Sequence, residues 1–257
     1  MNAFQRASLI QVRVIGALML RDLVLQGGRD NIPFGNIWMR PIGMIAAFYI
    51  VGRVATGLTP QGLPLLVFIV TGYMTWHSFV RCFANINFRR VGGLLMFPHV
   101  TPLDYILSRM VVEFVVFSLV FVLLCLLGML FEQAAPPADP LGVMMAFWTA
   151  IALGVSLGMI ASSISRFTSI LEDLFAAVRV AGNAVSGVFL LATDTPQPIL
   201  DVLKWNPLFH CVEWMRQSWW AEYKSPIADP PYIFCCLFFL IAIGLAFERA
   251  SRRWQAE

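Results

Sequence analysis

The chain has 257 residues, of which 59% are hydrophobic and only 13% are charged, and its mean hydropathy is +0.74. Soluble domains carry roughly a quarter charged residues, and a soluble fold of this length could not hide so much apolar surface in one core. This balance excludes an ordinary soluble protein and predicts an integral membrane protein, while a formal net charge of +3 is too small to indicate a nucleic-acid partner.

Residues 1–33 are predicted to form an amphipathic interface helix and a short linker. Arg6, Arg13 and Arg21 recur at intervals that keep them near one face of a helix, with apolar residues between them. A basic amphipathic helix of this kind lies along a membrane surface, with its arginines near the lipid phosphates. The same arginines interrupt the apolar run that a cleaved signal peptide would need.

Six apolar stretches follow, and each supplies about 20 residues, the number needed to cross a bilayer as a helix. Their apolar character is continuous rather than alternating, which favours helices over the strands of a membrane barrel. The chain, 1–257, is therefore predicted to be a single all-α transmembrane domain. The predicted spans are 37–58, 63–80, 105–131, 141–164, 170–191 and 232–248.

The distribution of basic residues predicts the orientation, because the cytoplasmic flanks of membrane helices are enriched in lysine and arginine. Only Arg53, Lys204, Arg216 and Lys224 fall on one side of the predicted spans. All the other basic residues share a side with the two termini. Both termini are therefore predicted to be cytoplasmic.

The sequence shows no catalytic or metal-binding motif. The only lysines, Lys204 and Lys224, lie outside any glycine-rich phosphate-binding loop, so energy from ATP would have to come from another subunit. The histidines and carboxylates form no recognisable catalytic or zinc-binding set, and the five cysteines lie mostly in apolar runs without CxxC spacing. We expect no catalytic residues, no metal and no cofactor bound by this chain.

The link between the second and third predicted spans, residues 81–104, is predicted to be cytoplasmic. A short helix ended by Pro98 and followed by Pro102 would present a compact apolar knob with basic flanks to a cytosolic protein. An ordinary interfacial loop anchored by arginines fits the same residues. The pattern alone leaves both interpretations open.

The predicted external loop, 192–231, is rich in aromatic residues. These rings fit an interfacial belt, and they also fit a pathway in which flat aromatic faces contact sugar rings. Asn206-Pro207 is predicted to divide the loop into two short re-entrant helices. The candidate substrate-path rings are Trp205, Phe209, Trp214, Trp219, Trp220 and Tyr223.

Three further charged residues are candidates for a role. Arg179 lies in an otherwise apolar run, so it fits either a charge on the substrate path or a residue at the cytoplasmic headgroups where the fifth span begins. Glu213 and Arg216 are three positions apart and are predicted to pair on one helical face as a structural clasp.

Two runs carry a resemblance to a known family. Leu-Leu-Met-Phe-Pro-His-Val-Thr-Pro-Leu-Asp at 94–104, followed by Ser108 and Arg109, resembles the loop before the third helix in ABC-2 type permeases of capsular polysaccharide export, the KpsM-like family. Ser-Gly-Val-Phe at 186–189 and Trp-Asn-Pro-Leu-Phe-His at 205–210, with the later Glu213 and Arg216, resemble the family's fifth helix and external loop. The resemblance covers essentially the whole chain.

The resemblance implies that the 81–104 segment docks on a cytosolic ATPase and transmits its movement, flanked by the amphipathic helix. It implies a homodimer with two ATPase copies that use ATP and Mg²⁺. The implied host is a Gram-negative bacterium, with the chain in its inner membrane, among membrane lipids. The implied coupling residues are Phe88, Arg89, Arg90, Leu95, Met96, Phe97, Pro98, His99, Pro102 and Asp104.

The resulting hypothesis is a permease that moves lipid-linked capsular polysaccharide outward and passes it to a periplasmic adaptor and an outer-membrane export protein. Related permeases for O-antigen, teichoic acid or a small-molecule drug are alternatives. A membrane scaffold or a membrane enzyme that modifies lipids or sugars is a more remote one, and such an enzyme would show carboxylates or histidines clustered at one depth.

Overall fold

The computed structural model of the chain describes residues 3–26, 35–56, 63–86, 100–132, 134–165, 182 and 185–256. These residues form eight α-helices and no strands, which confirms the predicted all-α fold class. A π-helical turn, Gly52–Thr56, extends α2, and a 3-10 turn, Ala192–Asp194, precedes α6. The helices are α1 Ala3–Gln26, α2 Gly35–Val51, α3 Leu65–Asn85, α4 Pro102–Glu132, α5 Pro140–Ser165, α6 Gln197–Leu203, α7 Pro207–Trp219 and α8 Pro230–Ala256.

Four helices in the described part of the chain are long and apolar enough to cross a bilayer, and they are α3, α4, α5 and the Pro230–Ala250 part of α8. They correspond to the second, third, fourth and sixth predicted spans. The first predicted span, 37–58, falls on α2, which has only 17 residues as a regular α-helix. The fifth, 170–191, lies mostly outside the described residues. The count of six spans therefore stays a prediction.

Four of the helices begin in the same way, with a polar capping residue followed by proline. At α4, Thr101 Oγ1 accepts from the backbone N–H of Asp104 at 3.3 Å, and Asp104 Oδ2 accepts from the N–H of Thr101 at 2.9 Å. This reciprocal pair satisfies two N–H groups that have no partner within the helix. Proline fits the next position because an N–H group in the first turn has no partner within the helix, so the N–H that proline lacks is not needed there. The four pairs are Thr101-Pro102, Asp139-Pro140, Asn206-Pro207 and Asp229-Pro230.

The helix at the centre of the bundle is α5, which contacts α3, α4, α7 and α8. Gly154 and Gly158 lie one helical turn apart on α5, and a Cβ at Gly154 would lie 2.4 Å from the carbonyl oxygen of Phe79. A Cβ at Gly158 would lie 2.9 Å from the carbonyl oxygen of Phe83. Small residues at this spacing let two membrane helices pack backbone to backbone. Further out, α2 packs against α3, and α1 packs against α4.

The bundle has two distinct ends. At the α7 end, the 134–139 turn is bonded to α7 through Asp139 N–H and Ser218 O at 2.8 Å, next to the start of α5. At the α1 end, α1 packs against the first half of α4, close to the last turn of α3. That α1 lies along a membrane surface stays a prediction. The α6 and α7 helices on either side of Asn206-Pro207 are short, and their re-entrant placement also stays a prediction.

Substitution of Gly154 by alanine is expected to destabilise the protein, because the added methyl group cannot fit against α3 without moving the two backbones apart. Overpacking of this kind typically costs about 1–3 kcal/mol. The free energy of unfolding of the purified protein in detergent measures the change. Gly43→Ala in α2 is the matched control, since a Cβ there meets nothing within 4 Å. Equal losses in both variants, or none in Gly154→Ala, would contradict the close helix contact.

Candidate functional site

Arg216 forms the centre of a buried network at the α7 end. Its side chain is completely buried, with Nη1 donating to the carbonyl oxygen of Leu190 at 2.6 Å and Nη2 donating to that of Val188 at 2.8 Å. The guanidinium also lies over the ring of Phe68, 4.1 Å from its centroid. Burial lowers the pKa of Arg216 from its ordinary value, and the neighbouring Glu213 carboxylate opposes that shift. The buried cation is thus matched by oxygens and a ring face.

The carbonyl groups that Arg216 binds belong to an irregular stretch of backbone. Gly187 has a φ of +77°, a conformation that ends a regular helix and that glycine adopts without strain. A Cβ at Gly187 would also lie 2.5 Å from the ring of Phe209. A buried backbone carbonyl group outside a regular helix needs a hydrogen-bond donor from elsewhere in the protein. Arg216 supplies those donors and so holds the 185–191 segment against α7.

Glu213 extends this network from α7 to the loop that follows. Its Oε1 accepts from Arg216 Nη1 at 3.3 Å, and its Oε2 accepts from the hydroxyl of Tyr223 at 2.5 Å and from Ser225 Oγ at 2.7 Å. Burial and the adjacent Glu213 carboxylate raise the pKa of Tyr223, which keeps its hydroxyl protonated as a donor. The Arg216 clasp comprises Phe68, Val188, Leu190, Glu213, Arg216, Tyr223 and Ser225.

The six candidate path rings lie in different environments and do not form one surface. Trp205 is the most accessible, with 71% of its surface exposed. Phe209 and Tyr223 are buried, the former against Gly187 and the latter within the clasp.

The remaining three rings lie along α7 and at its end. Trp219 is buried and donates to the carbonyl oxygen of Ala135 at 3.2 Å. Trp214 is half-buried, with its ring 6.1 Å from that of Phe234 between centroids, and the half-buried Trp220 lies 6.2 Å from Trp219. These positions show what each ring packs against, and a role on a substrate path stays a prediction.

An open cleft of about 580 Å³ lies between α6, the start of α7 and the chain before α8. His210 lines it, with Nε2 2.7 Å from the carbonyl oxygen of Lys204 and its ring centroid 4.7 Å from that of Tyr232. Asp201, Lys204 and Asp229 add charge to its wall, and Lys204 pairs with Asp201 at 2.8 Å. Among the residues that the structure describes, no group of three or more His, Cys, Asp and Glu could hold a metal ion.

A second buried network lies at the α1 end, between α1, α3 and α4. Arg109 on α4 extends Nη1 to within 3.4 Å of Asp22 Oδ2 on α1 and Nη2 to within 2.8 Å of Glu113 Oε1. Glu113 Oε1 also accepts from Asn85 Nδ2 at 2.9 Å, and its Oε2 lies 3.8 Å from Arg81 Nε. The Asp22–Glu113 cluster comprises Asp22, Arg81, Asn85, Arg109 and Glu113.

Two of the predicted coupling residues lie within the described chain, next to this cluster. Pro102 is the first residue of α4, and Asp104 both caps α4 and accepts from Gln11 Nε2 on α1. Arg179 lies outside the described residues, as do the other predicted coupling residues. These are Phe88, Arg89, Arg90, Leu95, Met96, Phe97, Pro98 and His99.

Sequence reasoning missed the Asp22–Glu113 cluster, although two signals pointed to it. Glu113 is a lone carboxylate in the apolar run Met-Val-Val-Glu-Phe-Val-Val, and such a group requires a buried partner. Arg109 stands four positions before Glu113, which places both on one helical face. The third partner, Asp22, is distant in sequence and only the packing of α1 brings it close.

The described helices define a multi-pass helical membrane protein in which polar networks join the helices at both ends. Residues 91–220, about half of the chain including α4, α5 and the Glu213–Arg216 pair, match the ABC-2 type transporter family. The chain belongs to that family.

Three relatives extend the similarity to nearly the full length. The capsule polysaccharide export inner-membrane protein CtrC of Neisseria meningitidis serogroup A is 25% identical over 253 residues, 95% of this chain and 93% of CtrC. The corresponding inner-membrane protein BexB of Haemophilus influenzae is 23% identical, with 95% of this chain and 93% of BexB covered. The polysialic acid transport protein KpsM of Escherichia coli is 23% identical, with 93% and 94% covered.

Substitution of Arg216 by glutamine is expected to lower the free energy of unfolding by about 3–5 kcal/mol, because it leaves the Glu213 carboxylate buried without its cation. The carbonyl groups of Val188 and Leu190 would lose their donors at the same time. Chemical or thermal denaturation of the purified protein in detergent measures the loss.

Lys204→Gln is the matched control, because Lys204 and Asp201 form a pair with the same spacing but with side chains 49% and 63% exposed. An exposed pair contributes about 0–1 kcal/mol. If the two substitutions cost the same, the clasp does not stabilise the α7 end in the way described.

Proposed function

We propose that the chain is the permease subunit of an ATP-driven exporter that moves lipid-linked capsular polysaccharide across the inner membrane of a Gram-negative bacterium. The observation that carries this proposal is the near full-length similarity to relatives named for capsule polysaccharide export and polysialic acid transport. The family match and four membrane-capable helices support a transport role. The substrate follows from the names of the relatives and from the resemblance of residues 94–104 and 186–216.

The energy source in this proposal is a separate cytosolic ATPase. A nucleotide-hydrolysing subunit needs a lysine in a glycine-rich loop that cradles phosphate, and Lys204 and Lys224 lie in no such loop. Lys204 is instead paired with Asp201 on the surface of α6. The partner ATPase binds ATP and Mg²⁺, and this chain serves as a transport subunit without enzymatic activity.

The assembly we propose contains two copies of this chain above two copies of the ATPase. Apolar residues cover outward faces of α4 and α8, and such faces suit either lipid or a second copy. The exposed residues on these faces include Leu119, Leu130, Phe131, Phe238 and Phe239. The polymer would pass along the interface of the two copies to a periplasmic adaptor and an outer-membrane export protein.

The orientation we propose places both termini and the α1 end in the cytosol, and the α7 end towards the periplasm. The excess of arginines flanking the cytoplasmic ends supports this orientation. The segment 81–104 then meets the ATPase, and Arg179 and the accessible Trp205 are the charged and aromatic groups proposed for the path. Arginines at the cytoplasmic mouth would attract an acidic polymer.

Deletion of the gene tests the substrate and the direction of transport. Surface polysaccharide should fall to background, and polymer should accumulate inside the cell, because synthesis continues without an exit. Immunological or chemical quantification of polymer in surface and cytoplasmic fractions measures both effects. The complemented strain is the control, and deletion of the partner ATPase should give the same pattern. An intact capsule after deletion would contradict the proposal that capsular polysaccharide is the substrate.

A further inference from the structure

The Asp22–Glu113 cluster joins α1, α3 and α4, and α4 also packs against each of the other two helices. Among the side chains of α1 that the structure describes, Val12, Leu20 and Val24 are exposed, while Leu18 and Asp22 are buried. Two polar links set where α1 lies along α4, one between Gln11 and Asp104 and one between Asp22 and Arg109. Apolar contact alone allows a helix to slide, whereas paired charges hold only in one register.

Arg109 is the centre of this cluster because its two terminal nitrogens reach both carboxylates. One terminal nitrogen points to Asp22 on α1, and the other binds Glu113 one turn further along α4. Glu113 in turn binds Asn85 in the last turn of α3. A lysine is a point charge and cannot span both acids in this way.

Further polar contacts near this cluster connect the end of α3 with the start of α4. Tyr105 donates its hydroxyl to the carbonyl oxygen of Asn85 at 3.1 Å. Asp104, which caps α4, is the residue that Gln11 of α1 contacts. The end of α3, the start of α4 and the middle of α1 are therefore connected as one unit by polar contacts.

Arg21 Nη1 also lies 3.7 Å from Asp22 Oδ1, so three guanidinium groups face the two carboxylates, those of Arg21, Arg81 and Arg109. Within the part of the chain that the structure describes, four buried atoms of this cluster have no hydrogen-bond partner, and they are Asp22 Oδ2, Arg81 Nε, Arg109 Nε and Glu113 Oε2. The ion pairs Arg109–Asp22, between α1 and α4, and Arg109–Glu113, within α4, therefore contribute most of the polar attraction at this cluster, and they favour one register of α1 along α4.

We propose that Asp22, Arg109 and Glu113 are positioning residues that make α1 and the α3–α4 junction move as one body, so that motion of the partner ATPase reaches the bundle. This inference rests on the proposed function, because it assumes an ATPase that acts at the α1 end. Without the charges, α1 and α4 would still pack but would no longer move together. ATP hydrolysis would then continue without export.

Asp22→Asn and Asp22→Glu test the proposal, because asparagine keeps the shape without the charge and glutamate keeps the charge. In cells, Asp22→Asn should lower the rate of polymer export by about tenfold or more, within the usual range of coupling between sites. The complex with the ATPase should still assemble and hydrolyse ATP. Asp22→Glu should restore most of the export. The control is Glu222→Gln, which neutralises an exposed carboxylate at the α7 end.

Export by Asp22→Asn at the wild-type rate would overturn the proposal, as would equal losses in Asp22→Asn and Asp22→Glu. Should Asp22→Asn not accumulate, Arg109→Lys decides, because it keeps the positive charge and removes only the two-sided contact. Reduced export by an assembled Arg109→Lys complex supports the proposal. Wild-type export by that variant contradicts it.

Hydrogen exchange separates failure of this inference from failure of the proposed function. If the wild-type chain proves to export no polymer, purified wild-type and Asp22→Asn proteins are compared in detergent. Faster amide exchange in α1 and in the first turns of α4, with α7 unchanged, supports the proposed connection of α1 with α4 independently of transport. Unchanged exchange in both helices overturns it.

Discussion

The structure depends on one constraint, which is that a charge buried in a membrane protein must be met by an opposite charge or by backbone oxygens. Arg216 meets this constraint at the α7 end through Glu213 and the carbonyl groups of Val188 and Leu190. Arg109 meets it at the α1 end through Asp22 and Glu113. Each network joins elements distant in sequence, so the charges specify how the apolar helices are arranged.

Between these networks, α3 and α5 pack with their backbones in close contact at Gly154 and Gly158. Such a contact resists sliding, since any shift brings backbone atoms together or opens a gap. The α1 end and the α7 end are thus joined through a stiff pair of helices. In the exporter proposed above, this arrangement would suit a machine in which the ATPase acts at one end and the substrate path opens at the other.

Much of the fold could be predicted from the sequence, because apolar runs and polar-residue-proline pairs mark where helices lie and begin. Glu213 and Arg216 are three positions apart, so their pairing needs only a helix. Their contacts to the 188–190 carbonyl groups and to Tyr223 and Ser225 depend on how the 185–191 segment and the chain after α7 pack against α7. The contact between Asp22 and Arg109 forms only because α1 packs along α4. No local sequence pattern specifies that packing. The Gly-x-x-x-Gly spacing at 154–158 was a readable signal for the α3–α5 contact.

The central claim is that this chain is a conduit driven by a separate motor. The most direct test is reconstitution of the purified chain in liposomes, alone and with the partner ATPase, with ATP hydrolysis and polymer transport measured together. The account predicts ATP-dependent transport only when both proteins are present, and no hydrolysis by the chain alone. Hydrolysis or ATP-dependent transport by the chain without a partner would contradict it.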